Sequence, residues 1–158
     1  MIKVRLVCVG SLKEKFLVEG VNEYVKRLQK FCQFEICELS EAKSFSKLND
    51  SEIALIKQKE GEAILQKLKG YVVCLCIEGK QFSSEDFASE IECLVNDGKG
   101  EITFVIGGSY GLSEAVTQKS NLKLSFSRFT FPHQLMRLIF VEQIYRAFNI
   151  ISHTAYHK

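Results

Sequence analysis

The feature that most constrains this chain is a repeated change of hydrophobic period, from strand-like apolar runs to helical spacing and back. Residues 2–9 are apolar at most positions and end at Gly10. Leu17, Val21, Tyr24, Val25 and Leu28 follow, spaced as one face of a helix. Residues 34–39 read as a second short strand, and the polar stretch SEAKSFSKLND as a surface loop. Asn49, Asp50 and Ser51 offer N-caps to a helix through Ile53, Ile56, Ile64 and Leu68, which Gly70 stops. Residues 71–77 form a continuous apolar run, as expected of a parallel strand covered on both faces, and 102–106 a fourth buried strand. Between them Ser83, with Asp86 three residues on, is a variant capping box, and Phe82 and Phe87 are spaced as a hydrophobic staple. Ser113 caps a short helix, Leu122, Leu124 and Phe126 alternate as a fifth strand, and Pro132 opens the last helix. Repeated βα units predict an α/β fold: a mostly parallel sheet with helices on both faces, one domain over residues 1–158.

Composition excludes several alternatives. The 158 residues are 46% hydrophobic and 25% charged, with 10 glycines and one proline, which rules out disorder and fibrous repeats. No apolar run approaches the length of about 20 residues that a membrane span needs, and the start has no signal-peptide layout, so a soluble, cytoplasmic protein is expected. Of the six cysteines, Cys8, Cys37, Cys74 and Cys76 lie in strand-type runs, and Cys32 and Cys93 on helical segments. None makes a Cys-x-x-Cys pair or a zinc spacing with a histidine, so buried, reduced packing residues and no metal are expected.

Two features of the last third stand out. Residues 1–122 carry 16 Lys/Arg against 18 Asp/Glu, whereas residues 123–158 carry five basic residues against Glu142 alone, together with all three histidines. That asymmetry suggests a polyanionic or phosphate-bearing partner near the C-terminus. The last helix is apolar around most of its circumference, through Leu135, Met136, Leu138, Ile139, Phe140, Val141, Ile144, Tyr145 and Phe148. A helix of that kind is buried on two sides, the second of which we expect to be another subunit; a fully internal helix is the alternative.

Three segments could carry chemistry. Gly107-Gly108-Ser109-Tyr110-Gly111 follows a buried strand and precedes a helix, where glycines allow close backbone approach to a ligand. Its GGxxG spacing is not a dinucleotide fingerprint, and no phosphate-loop motif exists. Residues 125–134 form a strand end dense in hydroxyls and aromatics, able to offer backbone hydrogen bonds and flat apolar walls. The polar set His133, Arg137, Glu142, Arg146, Tyr156 and His157 forms the third, in which Glu142 and Arg146 are spaced to pair across one helical turn. Taken alone, these residues define an α/β domain binding a nucleotide-like ligand. A flavodoxin- or Rossmann-like small-molecule enzyme and a non-catalytic ribosome-binding module are the alternatives.

FVIGGSYGL, LSFSRFTFPHQLMRLIFVEQIYRAF and the closing AYHK closely resemble the RlmH family, compact SPOUT-class methyltransferases of bacterial ribosomes. IKVRLVCVGSLKEKF and LCIEGK fit the same family, so the resemblance spans essentially the whole chain. It implies a C-terminal trefoil knot, a homodimer, and methyl transfer from S-adenosylmethionine to N3 of a pseudouridine in 23S rRNA. It places the cofactor against Leu75, Gly107, Phe126, Ser127, Arg128, Phe129, Thr130 and Phe131. The sequence departs from the family at Cys76, where an acidic residue is usual, and at Tyr110 and Phe129. On this resemblance His157 or Tyr156 contacts the base, Arg137 anchors phosphate or polarises a carbonyl, and His133, Arg146 and Lys158 support the substrate. The limited surface of so small a chain points to an assembled ribosome as substrate.

Overall fold

Strand β1 (Lys3–Val9) buries Val4, Leu6 and Cys8 on one face and Val7 and Val9 on the other, so it can only lie inside a sheet covered on both sides. In the computed structural model, which describes residues 1–42 and 47–157, its partners are β2 (Gln33–Leu39), β3 (Tyr71–Gln81), β4 (Glu101–Ile106) and β5 (Leu122–Ser125). The sheet order is β2-β1-β4-β3-β5 and every pairing is parallel, as the alternating pattern predicts. Residues 43–46 of the expected surface loop, and Lys158, lie outside the described residues.

Helices α1 (Lys15–Leu28), α3 (Ser84–Asn96) and α5 (His133–Ile151) cover one face of the sheet. Helices α2 (Asp50–Leu65) and α4 (Glu114–Lys119) cover the other, with Ile64 and Val116 packed on Val7, Val72, Cys74 and Val105. Asn49 is the N-cap of α2 and forms a full capping box with Glu52; Ser83 and Ser113 cap α3 and α4. Phe82 and Phe87 meet with ring centroids 6.5 Å apart, as the staple spacing predicts. Pro132 sits one residue outside α5 and accepts the Met136 N–H through its carbonyl at 2.9 Å.

Three readings change. Helix α2 ends at Leu65, before Leu68, because the chain tightens into a turn through the Lys67 N–H to Ile64 carbonyl bond. Strand β3 runs four residues past Ile77. Its polar end, Glu78 to Gln81, pairs only with β5 at the sheet edge, after an irregularity in which Leu75 and Lys80 both face Leu124. Cys32 lies in the turn between α1 and β2 rather than on a helix, and Cys93 is exposed, while Cys8, Cys32 and Cys74 are buried. Helix α5 packs on the sheet and against two neighbouring helices. The helix lies between α1 and α3 on the sheet, with Phe140 against Phe104 at 4.8 Å, and none of its residues is exposed. Eight of its residues are buried, while Leu135, Met136, Leu138 and Ile139 are only half-buried by this chain.

Candidate active site

Parallel α/β sheets bind ligands outside the carboxyl ends of their strands. A cavity of about 430 Å³ opens there, beyond β3, β4 and β5, within the size range of small-ligand sites. Three segments wall it: Leu75 to Glu78 within β3, Ile106 to Leu112 at the end of β4 and beyond, and Leu124 to Ser127 with Phe129 to Phe131 at the end of β5 and in the turn after it. Gly107 is required by close approach, since a Cβ there would meet the Gly111 carbonyl carbon at 2.8 Å. In the third segment Ser125 donates to the Ser127 carbonyl at 3.0 Å, and the Ser127 hydroxyl accepts the Phe129 N–H at 3.0 Å.

Of the residues the resemblance assigns to the cofactor, Leu75, Gly107, Phe126, Ser127, Phe129, Thr130 and Phe131 line this one cavity. Arg128 does not: it is exposed on the outside of the turn. His133 and Met136, on the first turn of α5, close the inner wall, and the His133 Nε2 is buried with no hydrogen-bond partner among the described residues. A cavity with apolar walls, backbone polar groups at strand ends and one orphaned imidazole nitrogen fits an adenosyl ligand, which supplies both a flat ring and hydrogen-bonding atoms. Lys57 of α2 reaches the cavity rim, a residue that carried no signal in the sequence reading.

The remaining polar residues assemble elsewhere. Arg146, Tyr156 and His157 do not border the cavity. The chain reverses after α5 at His153, which has φ +52°, and lays its tail back along the helix. Glu142 pairs with Arg146 at 2.6 Å, as their spacing predicts, and accepts the Tyr156 hydroxyl at 3.1 Å. The Arg146 guanidinium lies over the Tyr156 ring, 5.0 Å from its centroid. Burial first, then the hydrogen bonds with Tyr24 and Glu142, push the Tyr156 phenol well above the ordinary tyrosine range. His157 sits between Arg146, 3.3 Å from Nδ1, and Glu85, 2.7 Å from Nε2. Since a guanidinium only donates, Nδ1 accepts and Nε2–H donates to Glu85 in this arrangement.

Arg137 is not at either place. Its side chain is 1% exposed; Nη1 pairs with Glu38 at 2.6 Å and Nη2 donates to the Gly10 carbonyl at 3.0 Å. The helical period explains this, because Arg137 shares a stripe with Phe140, Val141 and Ile144. An RNA phosphate cannot reach it, so the anchoring role expected of Arg137 is withdrawn. A second ionisable group, Glu60 of α2, is also buried; it accepts the Ala42 N–H at 3.3 Å and stands where a Cβ on Gly108 would meet its Oε1 at 2.9 Å. Burial raises its carboxyl above the usual range, partly offset by the Ala42 bond. Among the described residues no cluster of metal-ligating side chains occurs, and no helix is long and apolar enough to cross a membrane.

These features define a parallel α/β protein with a nucleotide-sized cavity at its strand ends and a separate basic, aromatic tail. Similar folds occur in a methylase-family protein of Haemophilus influenzae (TM-score 0.54, 12% identity, covering 98% of this chain and 70% of that one). A Legionella pneumophila protein described as a methyltransferase, with its cofactor SAM bound, is similar too (TM-score 0.52, 11% identity, 95% and 66% covered). Residues 2–157 match the family model described as "Predicted SPOUT methyltransferase". The chain belongs to the SPOUT methyltransferase family. Its relatives include proteins named ribosomal RNA large subunit methyltransferase H from Enterococcus faecalis, 54% identical over 99% of both chains, and Latilactobacillus sakei, 52% identical over 98% and 99%.

Proposed function

We propose that the protein transfers the methyl group of S-adenosylmethionine to N3 of a pseudouridine in 23S rRNA, in the cytoplasm and on the assembled ribosome. The observation that carries this reading is the convergence of seven cofactor-assigned residues on one cavity. Full-length similarity to relatives named for ribosomal RNA methylation supports the substrate class. The bound cofactor supplies an activated methyl on a sulfonium, which loses its positive charge as the methyl moves to nitrogen. Leu75, Phe126 and Phe131 would hold the adenosyl ring, and the glycine turn and the 127–130 backbone its polar edges. Holding donor and acceptor in line is the main task of such a site and accounts for several kcal/mol of barrier.

The N3–H proton must leave as the new N–CH₃ bond forms. Tyr156, whose proton is firmly held and donated to Glu142, would have to turn it from that carboxylate to donate to the base, and does not serve as a proton acceptor. His157, held between Arg146 and Glu85, would contact the base, and the N3 proton would pass to solvent water. Arg146 and Lys158 would neutralise nearby phosphate, and His133 would position substrate from the cavity wall.

Glu142, which carries the Tyr156 contact, lies about 13 Å along α5 from His133 at the cavity. A homodimer in which one protomer's tail meets its partner's cavity would bring the two groups together, and we propose that state. The same reading includes the C-terminal trefoil knot that the resemblance implies. Labelled methyl transfer from S-adenosylmethionine to ribosomes lacking the modification, with the product base located by mass spectrometry, tests the reading. Label on N3 of one pseudouridine is expected; cofactor binding without transfer to ribosomes or protein-free rRNA would refute it.

A further inference from the structure

Five of the six cation–π contacts among the described residues fall on one surface; the sixth, Lys80 over Phe82, lies apart. Arg27 lies over Tyr24 and Tyr145, with its guanidinium carbon 5.4 and 5.9 Å from the ring centroids. The Lys30 ammonium lies 4.7 Å from the Phe31 centroid and 5.8 Å from that of Tyr145. Tyr145 packs edge-on against Tyr156 at 4.8 Å, and Tyr156 carries Arg146. One line of rings therefore connects the tail to the C-terminal end of α1 and holds a cation at each step. Lys26, exposed in the last turn of α1, extends it. Two carboxylates interrupt the strip: Glu23, paired with Arg27 at 2.8 Å, and Glu142, paired with Arg146. Four cations against these two leave it positive.

We propose that Lys26, Arg27 and Lys30 form an RNA phosphate-docking strip that continues the tail's surface onto α1. Resting on rings limits the rotamers of Arg27 and Lys30, so less freedom is lost when a phosphate binds there. The rings themselves are not a base-stacking platform: Tyr145 is 7% exposed and Phe31 is packed on Phe148. The strip thus offers charge without base-edge recognition, the chemistry of a backbone contact that orients rather than reads sequence. It rests on the ribosomal reading above and assigns that substrate a second point of attachment away from the cavity.

The test is the salt dependence of binding to ribosomes lacking the modification and, separately, to protein-free 23S rRNA. Each phosphate contact contributes about 0.7–0.9 to the log–log slope, so K26Q/R27Q/K30Q is expected to flatten it by about 2–3. Between 50 and 200 mM salt the wild type then loses about 20–40-fold more affinity than the variant. S-adenosylmethionine binding and Tm should not change. Because Arg27 and Lys30 cover aromatic faces, K30Q alone is the second variant, with a slope change of about 0.7–0.9, and K30R should restore the wild-type slope. Unchanged slopes on both targets would overturn the proposal. A loss confined to ribosomes would also overturn it, in favour of a ribosomal protein partner. Flattened slopes with no methylation by the wild type would uphold the strip and refute the proposed function.

Discussion

Arg137 and Glu38 form an unequal pair, and the inequality fixes the order of their mutational costs. The guanidinium is 1% exposed, whereas the Glu38 side chain is 46% exposed. Removing Glu38 strands a desolvated cation whose Nε already lacks a partner and whose Nη2 retains only the Gly10 carbonyl at 3.0 Å and that of Val9 at 3.4 Å. Breaking a buried pair in this sense costs about 3–5 kcal/mol; with one partner half in water, about 2–3 kcal/mol is expected for Glu38→Gln. For a chain of this size that corresponds to a fall in Tm of roughly 5–10 °C. Arg137→Met removes the desolvated charge together with its bonds and leaves two carbonyls short of a donor, a cost of about 1–3 kcal/mol. The double variant should therefore be no less stable than Glu38→Gln alone, although it carries one more substitution. Thermal unfolding of the three variants measures this ordering. If Glu38→Gln leaves Tm unchanged while Arg137→Met raises KM for ribosomes, the arginine is exposed to substrate in solution and the structural role assigned to it is wrong.

Gly107→Ala should weaken S-adenosylmethionine binding at least tenfold by calorimetry, since its Cβ meets the Gly111 backbone at 2.8 Å and the turn must open; an unchanged Kd would separate this turn from the cofactor. Glu60 has a carboxyl whose folded value lies above its unfolded one, so its contribution to stability is present at acid pH and is lost as pH rises through the folded value. Glu60→Gln should abolish that decline, and denaturant titrations from pH 4 to 8 that show the same decline in both proteins would contradict it. Thiol alkylation at neutral pH should label Cys93 first and spare Cys8 and Cys32, whose thiols burial pushes up to about 12; rapid labelling of either in the native protein would show the core to be open.

The order of strands and helices was legible because their periods differ, and the caps were legible because Asn49, Ser83 and Ser113 satisfy backbone donors locally. What failed did so where an interaction is not local. The polar end of β3 gains its strand character from one edge partner, β5, and so leaves no alternation to read. Cavity residues were found by family resemblance more than by pattern, because the residues of a turn share no period, and Arg128, exposed between two lining residues, bears no mark in the sequence that sets it apart from them.

The charged residues carry the more general consequence. Arg137 lies three and four positions before Phe140 and Val141, and Glu60 lies midway between Ile56 and Ile64, so both fall in the buried register of their helices. Read by residue type they are a surface cation and a surface acid; read by register they must be buried, and burial of an ionisable group demands a partner. Both then prove to brace the carboxyl ends of strands: Arg137 through the Val9 and Gly10 carbonyls, Glu60 against Gly108. Arg146 lies where the same helical register leaves the apolar stripe, and its side chain is held half in solvent over Tyr156 of the tail. Register, not chemical type, is what separates the polar residues that build this site from those that can meet a substrate.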